Sequence, residues 1–263
     1  MKILNKKKLL WNEIAGFDDA WKFAFPFVRE EDATLPTVRY LPVVGSRYFS
    51  AQTRLLILGE SHYWDSEKQT GADSDPWDFH FTRQVFDGVE SAIEIGSRTW
   101  GQFWKRLDSL VSNSVERNEI KAAEGWKEVA FLNYVPGVIG DTSRVSPNPM
   151  NWKQARKQFD SVLNFLQPHL ILVLGCRAWN QLYMEDNTGW KCDTIDVSSP
   201  INPKFSRQRD VWIFPSMNNN RPDVILTWVY HPSVSIDSAE SMCEILTQLR
   251  DKLKMVDDYV ARR

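Results

Sequence analysis

Leu170-Ile-Leu-Val-Leu-Gly175 is a continuous apolar run that ends in glycine. A run without alternating polar residues is typical of a strand buried on both faces, as in a parallel sheet covered by helices. The residues before it, 151–166, carry apolar side chains at helical spacing, and Gln167-Pro168 separates the two segments. The stretch therefore predicts an amphipathic helix that leads directly into a buried strand.

Three further apolar runs of this kind lie along the chain: Arg54-Leu-Leu-Ile-Leu-Gly59, Glu128-Val-Ala-Phe-Leu-Asn133 and Val224-Ile-Leu-Thr-Trp-Val-Tyr230. Helical patterns accompany them, over 83–111, 177–184 and 237–254. This alternation predicts an α/β fold, a three-layer sandwich with a central, mostly parallel four- to five-stranded sheet. Val211-Trp-Ile-Phe214 is interpreted either as an additional edge strand or as a segment packed under a loop.

The chain has 263 residues, without an internal repeat or a linker long enough to divide it. This length allows one large domain or two small ones. We expect a single domain over 1–263, with its core over 50–250. Residues 1–45 would form an N-terminal helical extension, because residues 9–24 repeat apolar side chains at helical spacing.

Composition and charge restrict the class of protein. Apolar residues make up 43% and charged residues 25%, as in ordinary globular proteins. The net charge of −2 excludes a uniformly basic coat but not a local basic face. The three cysteines lie far apart, so we expect neither a disulfide framework nor a metal cluster, and a reducing cytoplasm fits them. The longest apolar run is too short to cross a bilayer. We therefore expect a cytoplasmic protein without a membrane partner or a cofactor.

Polar residues follow each of the four runs at the point where the strand ends. The segments are Gly59-Glu-Ser-His-Tyr-Trp-Asp65, Asn133-Tyr-Val-Pro136, Gly175-Cys-Arg-Ala178 and Tyr230-His-Pro-Ser-Val-Ser235. In an open α/β sheet, ligands bind at the carboxyl ends of the strands. The sequence therefore predicts that these four segments form one site.

Together the four segments resemble the motifs of the uracil-DNA glycosylase superfamily, in order and in spacing. The matching residues are Gly59-Glu-Ser-His-Tyr63, Leu132-Asn133, Leu174-Gly-Cys-Arg-Ala178 and His231-Pro-Ser233, and the resemblance covers roughly residues 50–250. Ser61 stands where the family usually has Asp or Asn, and His62 stands where it has Pro. Glu60 matches the Glu of the iron–sulfur branch, whose cysteines this chain lacks.

The resemblance implies a monofunctional DNA glycosylase that acts in DNA repair on a base flipped out of the stack. Glu60 and Asp65 are competing candidates for the carboxylate that stabilises the sugar cation and orients water. His231 is the candidate donor to the departing base. Asn133 carries a donor and an acceptor, with which it would read a pyrimidine edge. Further substrate contacts are expected from Ser61, His62, Tyr63 and Ser233.

Two locally basic segments, 142–159 and 200–222, are candidates for phosphate contacts, which position a protein on DNA without reading its sequence. The residues expected to contact DNA there are Arg144, Lys153, Arg207 and Arg209. Arg177 is interpreted either as a phosphate contact or as a residue that begins a helix. Val234 follows the His-Pro-Ser segment and would wedge into the gap left by a flipped nucleotide, or pack within its loop. We expect DNA as the partner and a monomeric protein.

The identity of the excised base stays open. Uracil is the default by resemblance. The long acidic and aromatic segment from Asp65 to His80 suggests instead a modified cytosine of phage DNA and a role in defence. Tyr63 counts against it, because it resembles the Tyr of the uracil branch that crowds the pyrimidine C5 position. Because Ser61 departs from the family pattern, a non-catalytic DNA-binding module on the same fold is the main alternative. A hydrolase that uses Ser61 with His62 or His231 is a further one, without the usual nucleophile-elbow pattern.

Overall fold

The computed structural model describes residues 42–63, 98–114, 119–135, 137–141, 145–182, 191–196, 208–214, 223–234 and 237–261. The strands found there are β1 (Val43–Val44), β2 (Leu55–Gly59), β3 (Val129–Asn133), β4 (Leu170–Leu174), β5 (Lys191–Asp196), β6 (Gln208–Phe214) and β7 (Val224–Val229). The helices are α1 (Arg98–Ser112), α2 (Glu119–Trp126), α3 (Pro149–Leu166), α4 (Cys176–Gln181) and α5 (Ala239–Ala261). Short 3-10 turns span Tyr48–Ser50 and Pro232–Val234.

The sheet is mixed, and its strand order is β1-β3-β2-β4-β7-β6-β5. The central strands β3, β2, β4 and β7 are parallel to one another, whereas β1, β6 and β5 pair antiparallel. The α/β class is confirmed, and the four apolar runs form the four parallel strands. The expected number of four to five strands is wrong, because seven strands form the sheet in the described residues.

The sequence does not predict β1 and β5, and their residues explain why. β1 has only two residues, and β5 reads Lys-Cys-Asp-Thr-Ile-Asp, with Ile195 as its one described buried residue. Such segments carry neither a continuous apolar run nor a long alternation. The segment 211–214 does belong to a strand, β6. It does not lie at the edge, because β5 pairs with its outer side.

Successive strand residues point to opposite faces of the sheet, and each face has its own core. One face packs against α1, α2 and α5, and its strand residues include Leu55, Ile57, Phe131, Leu170 and Leu172. The other face packs against α3 and α4, and its strand residues include Leu56, Leu58, Leu132, Ile171 and Val173. Helices thus cover both faces, which explains why the central strands are apolar throughout.

The ends of α3 show how local sequence sets an element boundary. The Asn148 side chain accepts a hydrogen bond from the Asn151 backbone N–H, and the Asn151 side chain accepts one from the Asn148 backbone N–H, which makes a reciprocal cap. Pro149 begins the helix, where its missing N–H costs no hydrogen bond. Gln167 ends it in the left-handed conformation, just before Pro168.

Some expectations lie outside the described residues. These are the helix over 9–24, nearly all of the 1–45 extension, and residues 83–97 of the helical pattern over 83–111, whose remainder is α1. No helix in the described part of the chain is long and apolar enough to cross a membrane.

The helices that follow β4 and β7 pack on opposite faces of the sheet, with α4 on one face and α5 on the other. In open α/β sheets, ligands bind at the carboxyl ends of the strands, where neighbouring parallel strands continue to opposite faces.

We expect Leu172→Ala to lower the free energy of unfolding by about 2–5 kcal/mol, because Leu172 is fully buried in β4 and its loss leaves a cavity. Urea unfolding would measure the change. Met150→Ala is the control, since Met150 is 60% exposed and should change stability little. Equal effects of the two substitutions would contradict this account of the core.

Candidate functional site

The strand register brings the four predicted segments to one edge of the sheet. Gly59 lies opposite Asn133, Leu58 opposite Val173, and Leu174 opposite Val229. The residues that follow β2, β4 and β7 therefore begin at the same level of the sheet as the end of β3. We refer to this region as the carboxyl edge.

Asn133 lies at the end of β3 with its side chain over the backbone of Gly59. A Cβ placed at Gly59 would overlap the Oδ1 atom of Asn133, so this arrangement requires glycine there. The Asn133 side-chain amide has no hydrogen-bond partner among the described residues. Asn133 is 8% exposed, so solvent still reaches it. Its donor and acceptor thus remain available to a ligand at the carboxyl edge.

His231 follows β7, and its ring is fixed on two sides. The Ser233 backbone N–H donates to Nδ1 at 3.4 Å, and the Ser233 Oγ lies 2.7 Å from the same atom. The ring also stacks on Phe103 of α1, with 5.2 Å between ring centroids. Because Nδ1 accepts, the hydrogen-bond network assigns the proton of the neutral ring to Nε2.

The protonation state of His231 follows from its surroundings. Burial of the ring and, secondly, the positive charge of Arg177 lower the pKa of His231 to about 4. At neutral pH the ring is therefore uncharged, and its Nε2–H is a donor that does not lose its proton readily.

Glu60 and Arg177 form a two-pronged ion pair across the carboxyl edge. Arg177 Nε donates to Oε2 of Glu60 at 2.6 Å, and Nη2 lies 2.5 Å from Oε1. Arg177 Nη1 also donates to the Ser146 hydroxyl. The hydrogen bonds to Glu60 raise the pKa of Arg177. The geometry holds the Glu60 carboxylate in one orientation, and the guanidinium compensates its charge.

Gly175 allows α4 to begin directly after β4. Its φ of +107° is a conformation that residues with a side chain rarely adopt. The helix then starts at Cys176, so that Arg177 lies in its first turn and reaches Glu60. Arg177 does lie at a helix start, as one of its two interpretations expected, and the 48% exposure of its side chain leaves room for a phosphate contact as well.

The remaining residues of the loop after β2 differ in burial. His62 is buried, its backbone C=O accepts the Ile139 N–H at 3.0 Å, and burial lowers its pKa to about 3. Ser61 is partly buried, and Tyr63 is exposed at the last described position of the loop. Substrate contacts by Ser61, His62, Tyr63 and Ser233 stay predictions.

Arg209 corrects one expectation. It was expected to contact phosphate, but it is fully buried and its Nη2 lies 2.7 Å from Asp237 Oδ1. Inside the protein it cannot reach DNA. Lys153 is exposed on α3, and Val234 is 55% exposed in the loop that carries His231 (the His231 loop), so both are accessible for a DNA contact. Asp65, Arg144 and Arg207 lie outside the described residues.

Sequence reasoning missed the residues that support the His231 loop. Arg106 of α1 donates to the Pro232 C=O, and Asp237 accepts the Tyr230 N–H at 2.6 Å. Arg106 is 126 residues from its partner, and no sequence spacing signals such a contact. Within the described ranges, no group of three or more His, Cys, Asp or Glu is arranged to hold a metal ion.

We expect Gly59→Ala to displace the Asn133 side chain, because the new methyl group would occupy the position of Oδ1. The side-chain amide resonances of Asn133 should shift in NMR spectra, and the overpacking should cost about 1–3 kcal/mol of stability. Unchanged amide resonances would show that the two residues do not press on each other.

We expect the protein to lose stability as the pH falls below 6.5. His62 and His231 have pKa values of about 3 and about 4 when folded, and 6.5 when unfolded, so the unfolded chain binds more protons in this window. Urea unfolding at pH 7 and pH 4.5 would measure the loss. His231→Asn should make the decrease smaller, and an identical decrease in this variant would contradict the expectation for His231.

No protein-family model matches the chain, and no curated protein matches it. The site's chemistry must therefore be inferred from the side chains at the carboxyl edge.

Proposed function

We propose that the protein is a monofunctional DNA glycosylase that hydrolyses the N-glycosidic bond of a flipped uracil-like or modified pyrimidine. The proposal is supported mainly by one arrangement: an available Asn133 amide, an oriented Glu60 carboxylate and a neutral His231 follow three strands of the same parallel set, β3, β2 and β7, at the carboxyl edge. β3 and β7 are three strand spacings apart, roughly 14 Å at about 4.8 Å each. A nucleoside lying across the ends of β2 and β4, the strands between them, would be within reach of side chains from both sides.

Asn133 would recognise the base. Its amide presents one acceptor and two donors, which complement a pyrimidine edge with adjacent N–H and C=O groups. Because the amide is pressed against Gly59, its position is defined before a ligand arrives. A preorganised partner loses less conformational freedom on binding, which favours selectivity.

His231 would stabilise the departing base. Cleavage of the glycosidic bond leaves negative charge on the base, mainly on its oxygens. The Nε2–H of the neutral ring can donate to such an oxygen without transferring its proton. This role requires the low pKa of His231, because a charged imidazolium would transfer its extra proton to the base or lose it as the pH rises.

Glu60 would orient the attacking water. Each carboxylate oxygen accepts one N–H from Arg177 and keeps a further acceptor position for a water molecule. Because Arg177 compensates the charge of Glu60, Glu60 would contribute more by orienting the water than by stabilising the sugar cation. Asp65 remains the competing candidate for that second task.

The neighbourhood of His231 suits a nucleotide taken out of a duplex. Val234 is an exposed apolar residue three positions after His231 in the same loop, and apolar wedges of this kind fill the gap that a flipped nucleotide leaves. Lys153 is an exposed cation for a phosphate contact, and Arg144 and Arg207 would add to it. The proposal includes a monomer in the cytoplasm, where thiols such as Cys176 and Cys243 stay reduced.

A panel of DNA substrates tests the proposal. Pure protein would be incubated with uracil-containing, thymine-mismatched and unmodified oligonucleotides, and with phage DNA that carries hydroxymethylated or glucosylated cytosine. Alkaline cleavage then counts abasic sites. Sites in the uracil lane would indicate a repair enzyme, and sites only in modified phage DNA would indicate a defence role. No sites in any lane would overturn the proposal.

Substitutions would then assign the roles. We expect His231→Ala to slow base release by about 10²–10³-fold, because it removes a donor to the developing anion. Asn133→Ala should weaken discrimination between bases. Asn164→Ala is the matched control, since Asn164 is exposed on α3 and should leave the rate unchanged. Full activity of both site variants would exclude these roles.

A non-catalytic DNA-binding module is the second candidate, and the Glu60–Arg177 pair favours it. A carboxylate that is already compensated is less suited to stabilise a cation, whereas a neutral, preorganised edge still binds a base. Tight binding to duplex DNA with an abasic-site analogue, without turnover of any substrate in the panel, would select this function.

A further inference from the structure

Arg209 lies in an environment that is unusual for a cation. The residue is fully buried, with its guanidinium carbon 4.7 Å from the ring centroid of Trp228 and 4.8 Å from that of Tyr230. Its charge is compensated by Asp237, which is also buried. Removing both charges from water is costly, and well-packed apolar residues of similar volume often give equal or greater stability. Stability alone therefore does not explain the pair.

Asp237 connects this cation to the loop that carries His231. One carboxylate oxygen pairs with Arg209 at 2.7 Å, and the other accepts the Tyr230 backbone N–H at 2.6 Å. Tyr230 directly precedes His231, and Asp237 lies just before α5. A single carboxylate thus ties the two ends of the segment 230–237 to each other and to β6.

The same loop is held on its other side by α1. Arg106 donates to the Pro232 C=O, and the Phe103 ring stacks on His231. The charged groups with a described interaction with the loop or its ion pair are Arg106 of α1, Arg177 of α4, Arg209 of β6, and Asp237. Arg209 and Asp237 form the buried ion pair among them, so they are the contact that solvent screens least.

We propose that Arg209 and Asp237 are positioning residues that fix the His231 loop against the sheet, so that the ring stays desolvated and keeps its place at the carboxyl edge. The catalytic consequence rests on the proposed glycosylase function. The positioning itself is a property of the free protein, and it can be measured without a substrate.

The test follows the His231 ring by NMR titration in Asp237→Asn. Loss of a negative charge near the ring would by itself lower the pKa of His231 further, because it disfavours the imidazolium. A loosened loop hydrates the ring instead and raises that pKa from about 4 toward 6.5. The two effects have opposite signs, so a rise reports loss of position and not loss of charge.

Arg209→Lys is the second variant. It keeps the positive charge but lacks the planar group that pairs with Asp237 and lies over two rings. We expect it to raise the pKa of His231 as well. Leu172→Ala is the control for stability, because it weakens the core of β4 without touching the loop, and it should leave the titration of His231 unchanged.

Kinetics complete the test if the protein releases bases. Asp237→Asn and Arg209→Lys should each lower kcat by up to about 10²-fold with little change in KM, because misplacing the catalytic His231 ring affects the reaction step. The proposal would be overturned if the pKa of His231 stayed at about 4 in both Asp237→Asn and Arg209→Lys, or if it rose equally in Leu172→Ala. If the pKa rose only in Asp237→Asn and Arg209→Lys but the protein released no base, the positioning role would be upheld and the glycosylase function rejected.

Discussion

The parallel pairing of β3, β2, β4 and β7 is the constraint from which the site follows. Backbone hydrogen bonds set a register in which Gly59 lies beside Asn133, and Leu174 beside Val229. Residues from widely separated parts of the chain therefore emerge at one level, on strands spaced about 4.8 Å apart. No single loop builds the carboxyl edge, and each of the four strands contributes one polar segment to it.

Electrostatic compensation is the second feature of this edge. His231 is uncharged because its ring is buried. The negative charge of Glu60 is compensated because Arg177 donates hydrogen bonds to both carboxylate oxygens. The Asn133 amide carries no charge at all. In the proposed function, this largely charge-compensated edge would hold an uncharged base, and cations further out, such as Lys153, would contact the phosphates.

Sequence reasoning worked where burial leaves a one-dimensional signal. The four central strands are covered on both faces, so their residues 55–58, 129–132, 170–174 and 224–229 are almost wholly apolar, and the strand ends could be located within a residue. It failed for β5, whose polar residues carry no such signal. It also failed for Arg209, because counting charges along a segment does not tell a buried cation from an exposed one. Contacts such as Glu60–Arg177, 117 residues apart, have no linear signature.

The contact between Gly59 and Asn133 restricts how this edge can change during evolution. A side chain at 59 would occupy the present position of the Asn133 Oδ1 atom, so the Asn133 side chain would have to move away or become smaller. The two positions are therefore coupled: the Asn133 amide keeps its present position only while residue 59 is glycine. A related chain with a side chain at 59 would be expected to hold residue 133 differently or to have a smaller residue there.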